Sequence, residues 1–74
     1  MEIYIEHADG YSWITEVENI EEATQVIENE AVAVYENCFE EDVENTFPLY
    51  WSIKNENKEI VCSGYVNENG ELTT

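Results

Sequence analysis

The chain has 74 residues, with eighteen Asp and Glu against Lys54 and Lys58, giving a formal net charge of −16. Such a field repels nucleic acid and anionic lipid, which excludes direct binding to DNA, RNA or a bilayer. The length allows one domain, residues 1–74, whose small core leaves a net stability of only a few kcal/mol.

Trp13, Trp51, five Tyr, two Phe and many β-branched residues supply enough apolar surface for a folded domain despite the charge. No window is apolar enough to span a membrane, and the N-terminus has no basic, apolar leader pattern. The expected location is therefore the cytoplasm, that of the host cell if the chain is phage-encoded. In that compartment Cys38 and Cys62 are expected to be free thiols.

Residues 2–17, "EIYIEHADGYSWITEV", alternate with period two on both sides of Asp9-Gly10, which predicts a β-hairpin with a two-residue type I′ turn. That turn sets Ile5 opposite Ile14, His7 opposite Ser12 and Ile3 opposite Glu16 on the core face. Glu2, Tyr4, Glu6, Tyr11, Trp13 and Val17 then share the outer face. A helix follows, with Asn19 as N-cap, Glu22 closing a capping box, and Ile20, Ala23, Val26 and Ile27 as its apolar stripe. Ala31, Val34 and Cys38 would continue that stripe to about Glu40. The alternation of β-branched and aromatic residues in "AVAVYE" instead favours a strand at 31–36, leaving Cys38–Thr46 as an acidic loop.

The stretch "FPLYWSIKNENKEIVCSGYV" predicts two strands around an Asn55–Lys58 loop. Ile53 would face Ile60, Trp51 face Cys62 and Leu49 face Gly64, with Lys54 against Glu59 on the other side. "NENG" at 67–70 is a further turn, after which Glu71–Thr74 frays or adds a short edge strand. The predicted fold is α+β: one helix on an antiparallel sheet of four or five strands, in the order ββαβββ. An open sheet edge leaves both monomer and homodimer possible.

Catalytic groups are sparse. His7 is the only histidine, so a Cys–His pair would have to form across the fold, and a chain this short leaves little room for a carboxylate pair in a cleft. Two cysteines and one histidine lack zinc-ligand spacing, and neither "EEDVEN" nor "NENGE" has the ligand pattern of a calcium loop. The sequence therefore predicts no enzyme, no metal site and no cofactor.

Val17–Asn45 holds ten acids and no Lys or Arg. Residues i and i+2 on a strand, or i and i+4 on a helix, lie about 6–7 Å apart, close to the spacing of successive phosphates along one nucleic-acid strand. Pairs at these intervals recur, among them Glu28/Glu30, Glu36/Glu40 and Glu40/Asp42/Glu44. Glu21 and Glu41 extend the same surface. Such a ridge of carboxylates would suit a Lys- and Arg-lined groove evolved for DNA or RNA.

In size, acidity and lack of catalytic residues the chain resembles the small DNA-mimic inhibitors of phages and mobile elements. These include anti-CRISPR proteins, anti-restriction proteins and inhibitors of uracil-DNA glycosylase. The resemblance lies in composition over the whole chain and in no motif. It implies a stoichiometric inhibitor that blocks the nucleic-acid site of a CRISPR, restriction or repair enzyme, anti-CRISPR activity being favoured. The alternative is an immunity protein or antitoxin against a basic nuclease, with Tyr4, Glu6 and Trp13 on the outer hairpin face as its contact. A small enzyme is the third reading, and requires a concave pocket around His7, Cys38 or a carboxylate pair.

Overall fold

Ile3 and Ile5 alternate with polar residues through Glu2–Glu6 (β1), and both are fully buried. A computed structural model describes residues 1–73 of the chain. It comprises β1, β2 (Ser12–Glu16), α1 (Ile20–Glu36), a 3₁₀ turn at Glu40–Asp42, α2 (Val43–Thr46), β3 (Leu49–Lys54), β4 (Ile60–Val66) and β5 (Leu72–Thr73). The strands form one antiparallel sheet in the order β2-β1-β3-β4-β5, and α1 covers one face of it. This is the expected α+β class and ββαβββ order. Its last strand is Leu72–Thr73 rather than a strand at 31–36, and Thr74 lies outside the described residues.

The core forms where Ile3, Ile5, Leu49, Trp51, Ile53 and Val66 of the sheet meet Ala23, Ile27 and Ala31 of α1. Those three helix residues are fully buried at intervals of four, a stripe on one face. Asn19 caps the helix by accepting from the Glu22 amide at 2.8 Å, while Glu22 Oε2 accepts from the Glu18 amide at 3.1 Å. The strand expected at 31–36 is thus a correction: these residues are the last two turns of α1. Ala31 extends the buried stripe, and packing along that stripe outweighs the β-propensity of the valines.

The hairpin register also differs from expectation by one residue. Ile5 pairs with Trp13, Tyr4 with Ile14 and Ile3 with Thr15. The turn is longer than Asp9-Gly10 alone. His7 N–H donates to Tyr11 O, Gly10 N–H donates to His7 O, and only Gly10 has positive φ, at 104°. A type I′ turn would need positive φ at both central residues, so a three-residue loop with glycine in the left-handed position forms instead. The one-residue slip reverses β2. Trp13 points to the helix side, and Ile14 is 62% exposed on the open face.

The C-terminal hairpins share this turn. In "NENKE" and "NENGE" the first Asn (Asn55 or Asn67) accepts through its side chain from two later amides in its own turn. The fourth residue, Lys58 or Gly70, takes positive φ. The turn shifts the register by one residue and a bulge at Ile53/Lys54 by one more, so Ile53 pairs with Cys62, Trp51 with Gly64 and Leu49 with Val66, on the same face as predicted. The bulge places Ile60 beside Lys54 and turns it outward, 55% exposed. Lys54 consequently lies beside Glu2 of β1 and does not pair with Glu59.

Candidate functional site: an acid-lined aromatic cleft and its surrounding carboxylates

None of the eighteen carboxylates is buried. The expected contact residues nevertheless divide among three surfaces. Glu21, Glu28 and Glu36 are exposed on α1, and Glu30 is half-buried on the flank of the helix that faces the hairpin. Glu40, Glu41 and Asp42 form the 3₁₀ turn and Glu44 lies in the short helix α2 that follows, so the expected acidic loop is helical and all four side chains are exposed. Tyr4 and Glu6 lie on the open sheet face, joined by a hydrogen bond from the tyrosine hydroxyl at 3.0 Å. Trp13 is not with them. The register correction carries it to the opposite face, together with Tyr11.

There Trp13 and Tyr11 line a cleft of about 790 Å³ between the hairpin tip and the C-terminal end of α1. A hydrogen bond from the Ala8 amide to Thr46 O, 3.0 Å, ties the acidic segment to the hairpin turn beside the cleft. His7, Tyr11 and Trp13 form an aromatic cluster with ring centroids 5.2–5.8 Å apart. Val34, Cys38 and Phe39 face them from α1 and the segment after it, and Asp9, Glu30 and Asp42 add carboxylates. Phe39 is 74% exposed, an unusual position for phenylalanine in an acidic segment. The cleft is not legible in the sequence because its walls, His7–Trp13 and Glu30–Thr46, are far apart along the chain. The one local signal was Phe39, an aromatic with no apolar stripe to join.

The cleft places His7 and Cys38 along one concavity, the setting that a thiol–histidine pair would need. The side chains are otherwise engaged. His7 Nδ1 is 3.9 Å from Asp9 Oδ1, and Cys38 Sγ is 3.8 Å from Thr46 Oγ1 and 3.4 Å from Phe39 O. Among the described residues no hydrogen bond joins the thiol to the imidazole, and His7 Nε2 is buried without a partner. No cluster of three or more His, Cys, Asp or Glu with metal-holding geometry occurs among the described residues.

Positive charge is confined to the opposite end of the sheet. Lys58 Nζ donates to the Glu2 carboxylate, and Lys54 is the register neighbour of Glu2 on β3. The hydrogen bond and charge of Lys58 hold the Glu2 carboxyl below the usual glutamate range, and the Glu2 carboxylate holds the Lys58 ammonium above the usual lysine range. Among the described residues Glu2 is the only carboxylate paired with a lysine. The axis of α1 adds to this polarity. Its N-terminus lies toward the lysine end, and its C-terminus, with no basic residue in the last turn, lies at the cleft.

The open sheet face is a separate surface. Tyr4, Tyr50 and Tyr65 form a ladder with centroid separations of 6.2 and 5.8 Å, flanked by exposed Ile14 and Val61. No helix among the described residues is long and apolar enough to cross a membrane. Comparison of the chain with protein-family models, curated proteins and solved structures gives no match.

Proposed function

We propose that the protein is a non-enzymatic, stoichiometric inhibitor that presents a nucleic-acid-like negative surface to a basic nucleic-acid-binding site. The favoured target is a CRISPR effector, with restriction and repair enzymes as further members of the same target class. The observation that carries this reading is the display of charge. Sixteen net negative charges lie along a body 39 Å long and about 20 Å wide, or about one per 2.4 Å of its axis. Duplex DNA carries one per about 1.7 Å and a single strand one per about 3.4 Å, so the protein falls between them. With both lysines gathered around Glu2, the carboxylates of α1 and of the 3₁₀ turn after it meet a cationic groove with no lysine among them. The cost of that repulsion in a small fold is accounted for if a partner relieves it.

The test is capture of partner proteins from infected or host cells, followed by competition with DNA or RNA. Capture that weakens steeply with salt and is displaced by nucleic acid supports the reading. Capture that resists both contradicts it.

The tyrosine ladder favours a second reading, an immunity protein or antitoxin that neutralises a basic nuclease. Aromatics flanked by acids are typical anchors of a protein interface; Tyr4 stands between Glu2 and Glu6 on β1, and Tyr50 of β3 is the register partner of Glu6. Salt-resistant capture that is lost on Tyr65→Ala would favour it.

A further inference from the structure

We infer that the cleft between the hairpin tip and the C-terminal end of α1 seats an arginine side chain of the partner. The inference rests on the mimic reading and names the anchor within it. Three independent features of the cleft favour a cation. Trp13 and Tyr11 line the cleft with ring centroids 5.8 Å apart and planes tilted by 46°, and the quadrupole of such rings attracts a cation. Asp9, Glu30 and Asp42 supply carboxylates that no lysine meets among the described residues. The negative end of the α1 dipole lies at the same place with no basic residue in its last turn, although the Ala33, Val34 and Tyr35 carbonyls themselves accept from Asn37 and Cys38.

Guanidinium fits this combination better than ammonium. It is planar and stacks on aromatic rings, its fork of N–H donors matches a carboxylate, and it is more weakly hydrated. The volume exceeds what one side chain fills, so backbone and neighbouring residues of the partner can enter with it. A second copy of the chain does not suit the cleft. It brings another −16 and has no arginine to offer.

The probe is acetyl-arginine amide, titrated into the full chain and followed by two-dimensional amide and indole NMR. Saturable shifts are expected at the Trp13 indole and at the amides of Tyr11 and Phe39. The neutral isostere acetyl-citrulline amide should bind roughly tenfold more weakly. Asp42→Asn and Phe39→Ala alter exposed side chains and leave the core intact, and each should weaken the arginine response several-fold. Shifts spread evenly over the acidic surface, or equal binding of the citrulline compound, would overturn the inference. Partner capture separates it from the mimic reading. DNA-competed capture that is unaffected by both substitutions removes the arginine seat and leaves the mimic. Localised amide binding without any DNA-competed capture keeps the seat and removes the mimic.

Discussion

Lys58 donates to the carboxylate of Glu2, 56 residues away in sequence, and this contact holds the protein's positive charge at one end of the sheet. The pair joins the β3–β4 turn to the first strand. It also leaves the far end, with the cleft and the 3₁₀ turn, without a lysine.

The titration of Glu2 reports this pair directly. Its carboxyl is lowered by Lys58, so the pair's contribution is present above the ordinary glutamate range and is lost as pH falls through the depressed value. The Lys58 ammonium is raised, so at the alkaline end the contribution is lost as pH rises through the elevated lysine value. In side-chain carboxyl NMR, Glu2 should titrate at lower pH than in the Lys58→Gln variant. Coincident titration curves would remove the pair.

The carboxylates around the cleft should be dispensable for folding. Joint replacement of Glu40, Glu41 and Glu44 by Gln and Asp42 by Asn removes four exposed like charges from adjacent turns. Each repulsive pair costs a few tenths of a kcal/mol, so the variant should melt at or above the wild-type temperature. Its inhibitory potency should fall by tenfold or more, roughly the loss of 1.4 kcal/mol of binding. Thermal unfolding and an inhibition titration measure the two effects separately.

The shared turn makes a paired prediction. Gly10 has φ of 104° and open space where a Cβ would stand, so Gly10→Ala should cost about 1 kcal/mol through backbone strain alone. Gly70 has φ of 80°, and a Cβ there would meet Val32 Cγ2 at 3.4 Å and Glu28 O at 3.5 Å. Those are ordinary van der Waals distances, and φ lies nearer the left-handed region open to L residues, so Gly70→Ala should be the less destabilising of the two in urea unfolding.

Ala31 decides between helix and strand at 31–36. It is fully buried where α1 lies against the sheet, so Ala31→Leu overpacks that contact and should cost about 1–3 kcal/mol. Val32 is 38% exposed, and Val32→Ala should be nearly neutral because lost side-chain burial is offset by better helix propensity. A strand would alternate its inward side chains at 31, 33 and 35, and Ala33, which is exposed, would then be as sensitive as Ala31. Urea unfolding of Ala31→Leu beside Ala33→Leu distinguishes the two.

The sequence was readable where a pattern extended over a whole element and misleading where a short local signal served two structures. Ile3 and Ile5, the Asn19 cap and the inward face of Leu49, Trp51 and Ile53 follow from periodicity and capping alone. Asp9-Gly10 suits a two-residue turn and equally the longer loop that forms. One residue of difference sent Trp13 to the other face, and with it a residue expected on the open surface. "AVAVYE" alternates like a strand but also continues the Ala23–Ile27 stripe, and the longer-range pattern prevailed. The acids were legible as residues but not as a geometry. The pairing of β1 with β3 brings Lys54 beside Glu2, far from the acids of the 3₁₀ turn in sequence, and a hydrogen bond joins Ala8 of the hairpin turn to Thr46.

Salt should act oppositely on the free protein and on its complex. Screening relieves self-repulsion, so the melting temperature of the free chain should rise between low and physiological ionic strength. Inhibition of the partner should weaken over the same range.

The most direct measurement is the protein's affinity for a captured partner as a function of salt, with and without competing DNA or RNA. If the protein occupies the partner's nucleic-acid site, log affinity falls steeply and linearly with log salt, and the protein and nucleic acid exclude each other from the partner. A flat salt dependence, or a ternary complex of partner, nucleic acid and inhibitor at undiminished affinity, would contradict it.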